Sequence, residues 1–190
     1  MVVYGAKTSC ENWAQLLLVE EKQMSTEAAG TFLSSFEFGG FVSSFVTGYV
    51  TDKLIVAKGG IGGFNPRMDV SFLLMCLTVF GFQAVISFNQ YLPVIAFAVG
   101  ALLYGNINIF GIVATECAPH SISGTSHAIV ILAANAGAVI SGLPFGYIAA
   151  HYSWTFVFHL LKYSCLACSA VMLLTRSLLT TDIAQKIKRE

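Results

Sequence analysis

Long apolar runs alternate along this chain with short stretches that hold most of its charge. Runs near Val2–Val19, Thr26–Val50, Val70–Phe88, Tyr91–Thr115, Thr125–Ala150 and Trp154–Thr175 each approach the roughly 20 residues that a helix needs to cross a bilayer core. The pattern predicts an all-α membrane protein with six transmembrane helices, a bundle over residues 1–175 and a polar tail over 176–190. Small residues recur at helical spacing inside the runs: Gly40, Ser44 and Gly48, then Gly39, Ser43 and Thr47, and in the fifth run Ala133, Gly137 and Ser141. Such stripes let helix backbones approach closely in lipid, where no hydrophobic drive pulls helices together. Pro93 suits the first turn of the fourth run, and Pro144 should kink the fifth.

Composition strengthens the membrane reading. The chain is 56% hydrophobic and 11% charged, against about 25% charged residues in soluble domains. A formal net charge of zero gives no basic field for nucleic acid. The first run starts at once, without a basic leader or a small-residue cleavage site, so no cleavable signal peptide is expected. Five cysteines lie mostly inside apolar runs and read as small buried hydrophobes. Cys165-x-x-Cys168 sits in a membrane helix, away from the soluble context of redox pairs.

The basic residues then set an orientation. Lys53, Lys58, Arg67, Arg176, Lys186, Lys188 and Arg189 fall on one side of the predicted spans, and Lys22 alone on the other. That bias places the second loop and the C-terminus in the cytosol. The loop from Thr51 to Asp69 contains Gly59-Gly60-Ile61-Gly62-Gly63 without the Gly-Lys-Ser/Thr of a phosphate-binding loop, and reads as a linker. No catalytic triad and no metal-ligand spacing stands out, so neither an enzyme nor a bound cofactor or metal is expected.

Charges inside the runs carry the chemistry. A charge at bilayer depth costs roughly 3 kcal/mol on the insertion scale, and such residues normally line a pathway or pair with one another. Lys7 and Glu11 stand one helical turn apart in the first run, where they can neutralise each other until an anion competes for the ammonium. Lys7 also lies close enough to its helix end to snorkel to the interface. Glu37 sits mid-run in the second span. His127, Asn106, Asn108 and Asn135 are polar positions that either line a cavity or bond across helices, and Lys162 lies near the luminal end of the last span.

Several motifs together carry a resemblance. Tyr4-Gly5-Ala6-Lys7-Thr8, Gly48-Tyr49-Val50-Thr51-Asp52-Lys53, Gly124-Thr125-Ser126-His127-Ala128-Ile129-Val130, Gly142-Leu143-Pro144-Phe145 and His151-Tyr152-Ser153-Trp154 resemble the organophosphate:phosphate antiporters of the major facilitator superfamily. The likeness is to the branch that exchanges glucose 6-phosphate in the endoplasmic reticulum. It covers nearly the whole chain, yet only the family's C-terminal half, helices seven to twelve. It implies exchange of glucose 6-phosphate for inorganic phosphate by alternating access, against an N-terminal six-helix bundle outside this chain. It also implies coupling to a luminal glucose-6-phosphatase.

By the same resemblance Lys7 binds the phosphoryl group; Glu11, Asn12, His127 and Asn135 are the further substrate-binding candidates, from their polar side chains inside or beside the runs. Asn12 stands where many members have aspartate, the acid here having moved to Glu11. Gly48, Asp52 and Lys53 match the superfamily's cytosolic conformational loop. Lys186 and Lys188 fit a Lys-x-Lys-x-x retrieval signal of the endoplasmic reticulum on a cytosolic tail. A lone half has no second wall for a pathway, so the chain is expected to be a fragment. Two other readings remain: a non-transporting sensor or assembly partner, and a homodimeric carrier of another organic phosphate such as glycerol 3-phosphate.

Overall fold

The computed structural model describes residues 1–57 and 65–187, the side chains of His120 and 176–187 excepted. The linker over Gly59–Gly63, and with it Lys58, lies outside the described residues, as do Lys188 and the side chain of Lys186. Every described element is helical. α1 covers Val2–Leu16 and runs into one wider turn at Leu17–Glu21; α2 covers Thr26–Ala57, α3 Pro66–Ser87 and α4 Leu92–Glu116. After a short turn at His120–Ile122 come α5, Ser123–Ser141, α6, Leu143–His151, and α7, Trp154–Ile187.

Local chemistry sets the ends. Asn65 caps α3, its side chain accepting the Arg67 N–H at 3.0 Å, and Pro66 follows where a missing N–H does no harm. At the other end of α3 the Lys22 ammonium donates to the carbonyls of Val85 at 2.6 Å and Phe88 at 2.7 Å. A cation there suits both the orphan carbonyls and the negative end of the helix dipole. Burial pulls the Lys22 pKa below the ordinary lysine value. Glu21 caps α7 in the opposite sense, accepting the N–H groups of Trp154 and Thr155.

Packing follows the small-residue stripes. α2 and α4 are joined most closely, because Gly39 lies against the backbone of Phe97 and Gly100 against that of Phe36. A Cβ at either glycine would collide with the facing carbonyl. Ser43, one turn along the same stripe, donates across the seam to the Ala101 carbonyl at 2.6 Å. α1 crosses α5 at Gly5 and Gly137, where a Cβ on Gly5 would stand 3.0 Å from the Gly137 carbonyl oxygen. Phe32, Phe36, Met75, Phe82, Leu103 and Phe158 fill the interior between the helices.

Among the described residues, four segments are long and apolar enough to cross a membrane: Pro66–Ser87, Leu92–Glu116, Ser123–His151 and Trp154–Thr175. Of the six expected spans, α1 and α2 do not meet that measure. The α-helix of the first is only 15 residues long and carries Lys7 and Glu11, while Glu37 and a run of Gly, Ser and Thr dilute the second. α2 nonetheless turns Phe38, Phe41 and Phe45 outward, each at least 60% exposed. A phenylalanine stripe facing away from the bundle suits lipid.

The helix boundaries depart from the expected ones in three places. α2 runs seven residues beyond Val50, carrying Thr51 and Asp52 on helix rather than loop. The fifth run breaks at Gly142, two residues before Pro144, whose ring cannot follow an unbroken turn. The backbone of α7 stays helical to Ile187, through most of the expected tail.

Candidate functional site

Among the described residues, one polar cluster lies inside the bundle and another at an end. The interior cluster begins with the pair foreseen on α1. Lys7 Nζ lies 2.5 Å from Glu11 Oε1, with the two side chains only 16% and 25% exposed. The ammonium is thus turned along the helix toward Glu11, one turn further from the chain start. It also stands 5.2 Å from the ring centre of Tyr104 and 5.5 Å from that of Tyr4, distances at which an aromatic face attracts a cation.

Tyr104 brings in the second carboxylate. Its hydroxyl donates to Glu37 Oε2 at 2.6 Å and lies 3.2 Å from Glu11 Oε1. Three helices therefore converge here: α1 with Lys7 and Glu11, α2 with Glu37, and α4 with Tyr104. Glu37 stands eleven residues into α2 and Tyr104 twelve into α4, so the cluster sits near the middle of both. An ammonium bound only to a neighbouring carboxylate can be transferred to an arriving anion, provided the carboxylate keeps a partner; the Tyr104 hydroxyl is within reach of that role.

The remaining predicted ligands are placed differently. Asn12 and Asn135 are exposed, on α1 and α5. Among the described residues no hydrogen bond joins Asn12, His127 or Asn135 to the Lys7 cluster. His127 packs beside Gly111, with its Nδ1 buried and unpartnered, as is Asn108 Nδ2. Asn106 proves to be a cross-helix bond: its side-chain oxygen accepts from Ser71 of α3 at 2.6 Å. Lys162 donates to Gln83 of α3 at 2.8 Å. An apolar cavity of about 500 Å³ opens beside the interior cluster, walled by Val3, Tyr4, Met68, Ile107, Phe110 and Val130 among others.

The end cluster is built on Arg67. Its guanidinium meets Glu116 through Nε at 3.1 Å and a terminal nitrogen at 2.8 Å, Asp52 at 2.7 Å, and the Thr51 hydroxyl. Asn65 adds a bond to Glu116 at 3.2 Å. The arginine side chain is 6% exposed, whereas Asp52 is 66% exposed. The planar fork suits such multiple carboxylate contacts. It ties the C-terminal ends of α2 and α4 to the start of α3, at the end of the bundle that also carries Lys53. The Lys53 ammonium lies 5.5 Å from the Tyr49 ring, and Gly48 has open space where a side chain would project.

Tyr104, Arg67 and Glu116 were not among the sequence candidates. Tyr104 is a hydroxyl in the middle of an otherwise apolar run, a signal of the same kind as Glu37. Arg67 and Glu116 are an unlike pair at the ends of neighbouring runs, 49 residues apart, and only the helix register brings them together.

Relatives of this chain include proteins named as transporters of phosphorylated solutes and one named as a membrane sensor. A protein named "Probable hexose phosphate transport protein" from Chlamydia pneumoniae is 29% identical over 174 residues, 90% of this chain and 36% of the relative. The membrane sensor protein UhpC of Salmonella typhimurium is 28% identical over 157 residues, 82% of this chain and 34% of its own. The glycerol-3-phosphate transporter of Bacillus subtilis is 23% identical over 177 residues, 91% of this chain and 38% of the relative. The chain thus spans about a third of the length of the curated relatives it matches. No family model matches the chain.

Proposed function

We propose that these residues form the C-terminal half of a carrier that exchanges a sugar phosphate, glucose 6-phosphate, for inorganic phosphate across the endoplasmic reticulum membrane. The observation that carries the reading is the Lys7–Glu11 pair, held at 2.5 Å inside a bundle of apolar helices. A lysine so placed is a compact cation with three donors, matched to a phosphoryl group. Phosphate competes with Glu11 for it, and the exchange of partners links binding to a rearrangement of α1. The sugar-phosphate and glycerol-phosphate relatives support the substrate class. The second wall of the pathway is an N-terminal six-helix bundle, against which this one rocks. Asn12, His127 and Asn135 face the solute only in the assembled carrier on this reading.

The Arg67 cluster holds the cytosolic ends of α2, α3 and α4 together as one unit, so that Gly48, Asp52 and Lys53 act on the neighbouring bundle from a rigid base. Lys186 and Lys188 act as the retrieval signal on a cytosolic C-terminus, and a luminal phosphatase consumes the imported ester.

Counterflow of labelled glucose 6-phosphate in vesicles containing the native polypeptide tests the proposal. Lys7→Ala should reduce exchange at least about tenfold, since a hydrogen bond to a charged group contributes ~1.5–3 kcal/mol. Unchanged exchange in that variant removes Lys7 as the ligand. A second reading is favoured by the sensor relative, which matches at nearly the same identity: a receptor that binds the ester without moving it. Saturable binding of labelled ester with no counterflow would select that reading. A homodimeric carrier of another organic phosphate would instead show exchange by crosslinked pairs of this chain.

A further inference from the structure

The interior cluster holds more acid than its lysine can balance. Around Tyr104 stand one ammonium and two carboxyl groups, Glu11 and Glu37, both within hydrogen-bond distance of the same hydroxyl. Among the described residues, the titratable groups at this point are Tyr4, Lys7, Cys10 and Glu11 from α1, Glu37 from α2 and Tyr104 from α4. α5 and α7 also pack on α1, but His127 of α5 rests against Gly111, and on α7 Lys162 is bound to Gln83 and His159 stacks on Tyr163.

A phenol carries one proton and can donate it once. The Tyr104 hydroxyl lies 2.6 Å from Glu37 and 3.2 Å from Glu11, within hydrogen-bond reach of both. If it donates to Glu37, its contact with Glu11 is a hydrogen bond only when the Glu11 carboxyl supplies a proton, and the converse holds with the roles exchanged. Two like charges on one small site inside an apolar helix bundle also resist joint ionisation.

We propose that Glu11 and Glu37 hold one proton between them across the Tyr104 hydroxyl, so that the cluster with Lys7 is electrically neutral when empty. The proton comes from water, and only an O–H bond is made or broken. An arriving anion then meets a neutral site. Loss of the proton at alkaline pH leaves the site with a net negative charge that repels the anion.

The first test needs no solute. The native polypeptide in lipid discs at neutral pH should show the infrared C=O band of a protonated carboxyl, shifted in heavy water. Glu37→Gln or Glu11→Gln should remove it, and Tyr104→Phe should move its frequency. A spectrum without the band, or a band that all three variants leave untouched, overturns the proposal.

The second test rests on the reading of Lys7 as a phosphoryl ligand. Binding of labelled inorganic phosphate should fall as the pH is raised, and fall less in Glu37→Gln than in the parent at each pH. Both proteins see the same ionic form of phosphate, so their ratio isolates the cluster; parallel curves count against the proposal. A band present with no phosphate binding at any pH leaves the shared proton standing and removes the ligand role of Lys7.

Discussion

At the scale of single residues the two clusters differ in what each charge is worth. Arg67 is almost fully enclosed and has three oxygen-bearing partners, whereas Asp52 is mostly in solvent. Removing one member of a buried pair leaves the other uncompensated, and the penalty grows with burial. Arg67→Ala should therefore destabilise the bundle by about 3 kcal/mol, and Asp52→Ala by under about 1 kcal/mol. Unfolding followed by a thiol-reactive dye checks this, since Cys10 and Cys165 are free and buried in the fold. Equal losses in the two variants would mean that exposure does not grade the network. Of these residues the Lys7–Glu11 pair was legible, because a four-residue separation on a helix is contact by geometry. Tyr104 was not: its partners lie 67 and 93 residues away, and nothing in the periodicity of its own run aims it at them.

At the scale of elements, positions were easier to read than ends. The apolar runs located the helices, and the stripe of Gly39, Ser43 and Thr47 marked the seam on which α4 rests. The stripe did not reveal the facing surface, Phe97, Gly100 and Ala101, because Phe97 is large and the small Gly100 and Ala101 stand side by side rather than at helical spacing. The seam predicts its own sensitivity. Gly100→Val forces the α2 and α4 backbones apart, and overpacking of this kind costs about 1–3 kcal/mol or more. Gly48→Ala, inside α2 with open space at the Cβ, should not destabilise and should add up to about 1 kcal/mol from helix propensity. Thermal unfolding of the two variants in one detergent compares them directly.

The break at Gly142 shows a second kind of limit. Pro144 announced a kink, but not what stabilises it. The Trp13 indole donates to the Ser141 carbonyl at 2.7 Å and stacks on Trp154, ring centres 5.1 Å apart. Trp13→Phe keeps the stacking surface and loses the donor, leaving a carbonyl at the break unpaired. A loss of about 1–3 kcal/mol is expected, and no loss would mean that another donor replaces the indole.

At the scale of the molecule, charge separates to the two ends of the bundle. Arg67, Asp52, Glu116 and Lys53 mark one end; Lys22, with Glu20 and Glu21 on the start of α7, marks the other. Between them the Lys7 cluster is the principal charged group, and it sits beside helices whose outer faces are apolar. α5 and α6 are the least enclosed of these, exposing Leu132, Val139, Leu143 and Tyr147.

A carrier needs a second wall opposite Lys7, and the relatives align over only 34%, 36% and 38% of their own lengths. If that wall is a second bundle on the same polypeptide, an antibody to the last ten residues should detect in native membranes a band at least twice the 20.4 kDa of these residues. The same band should be the species that exchanges labelled ester after reconstitution. A band only at 20.4 kDa would require the wall to come from another chain. Crosslinking would then divide the remaining readings: a species of twice that mass that exchanges ester is a homodimeric carrier, and a monomer that binds ester without exchange is a sensor.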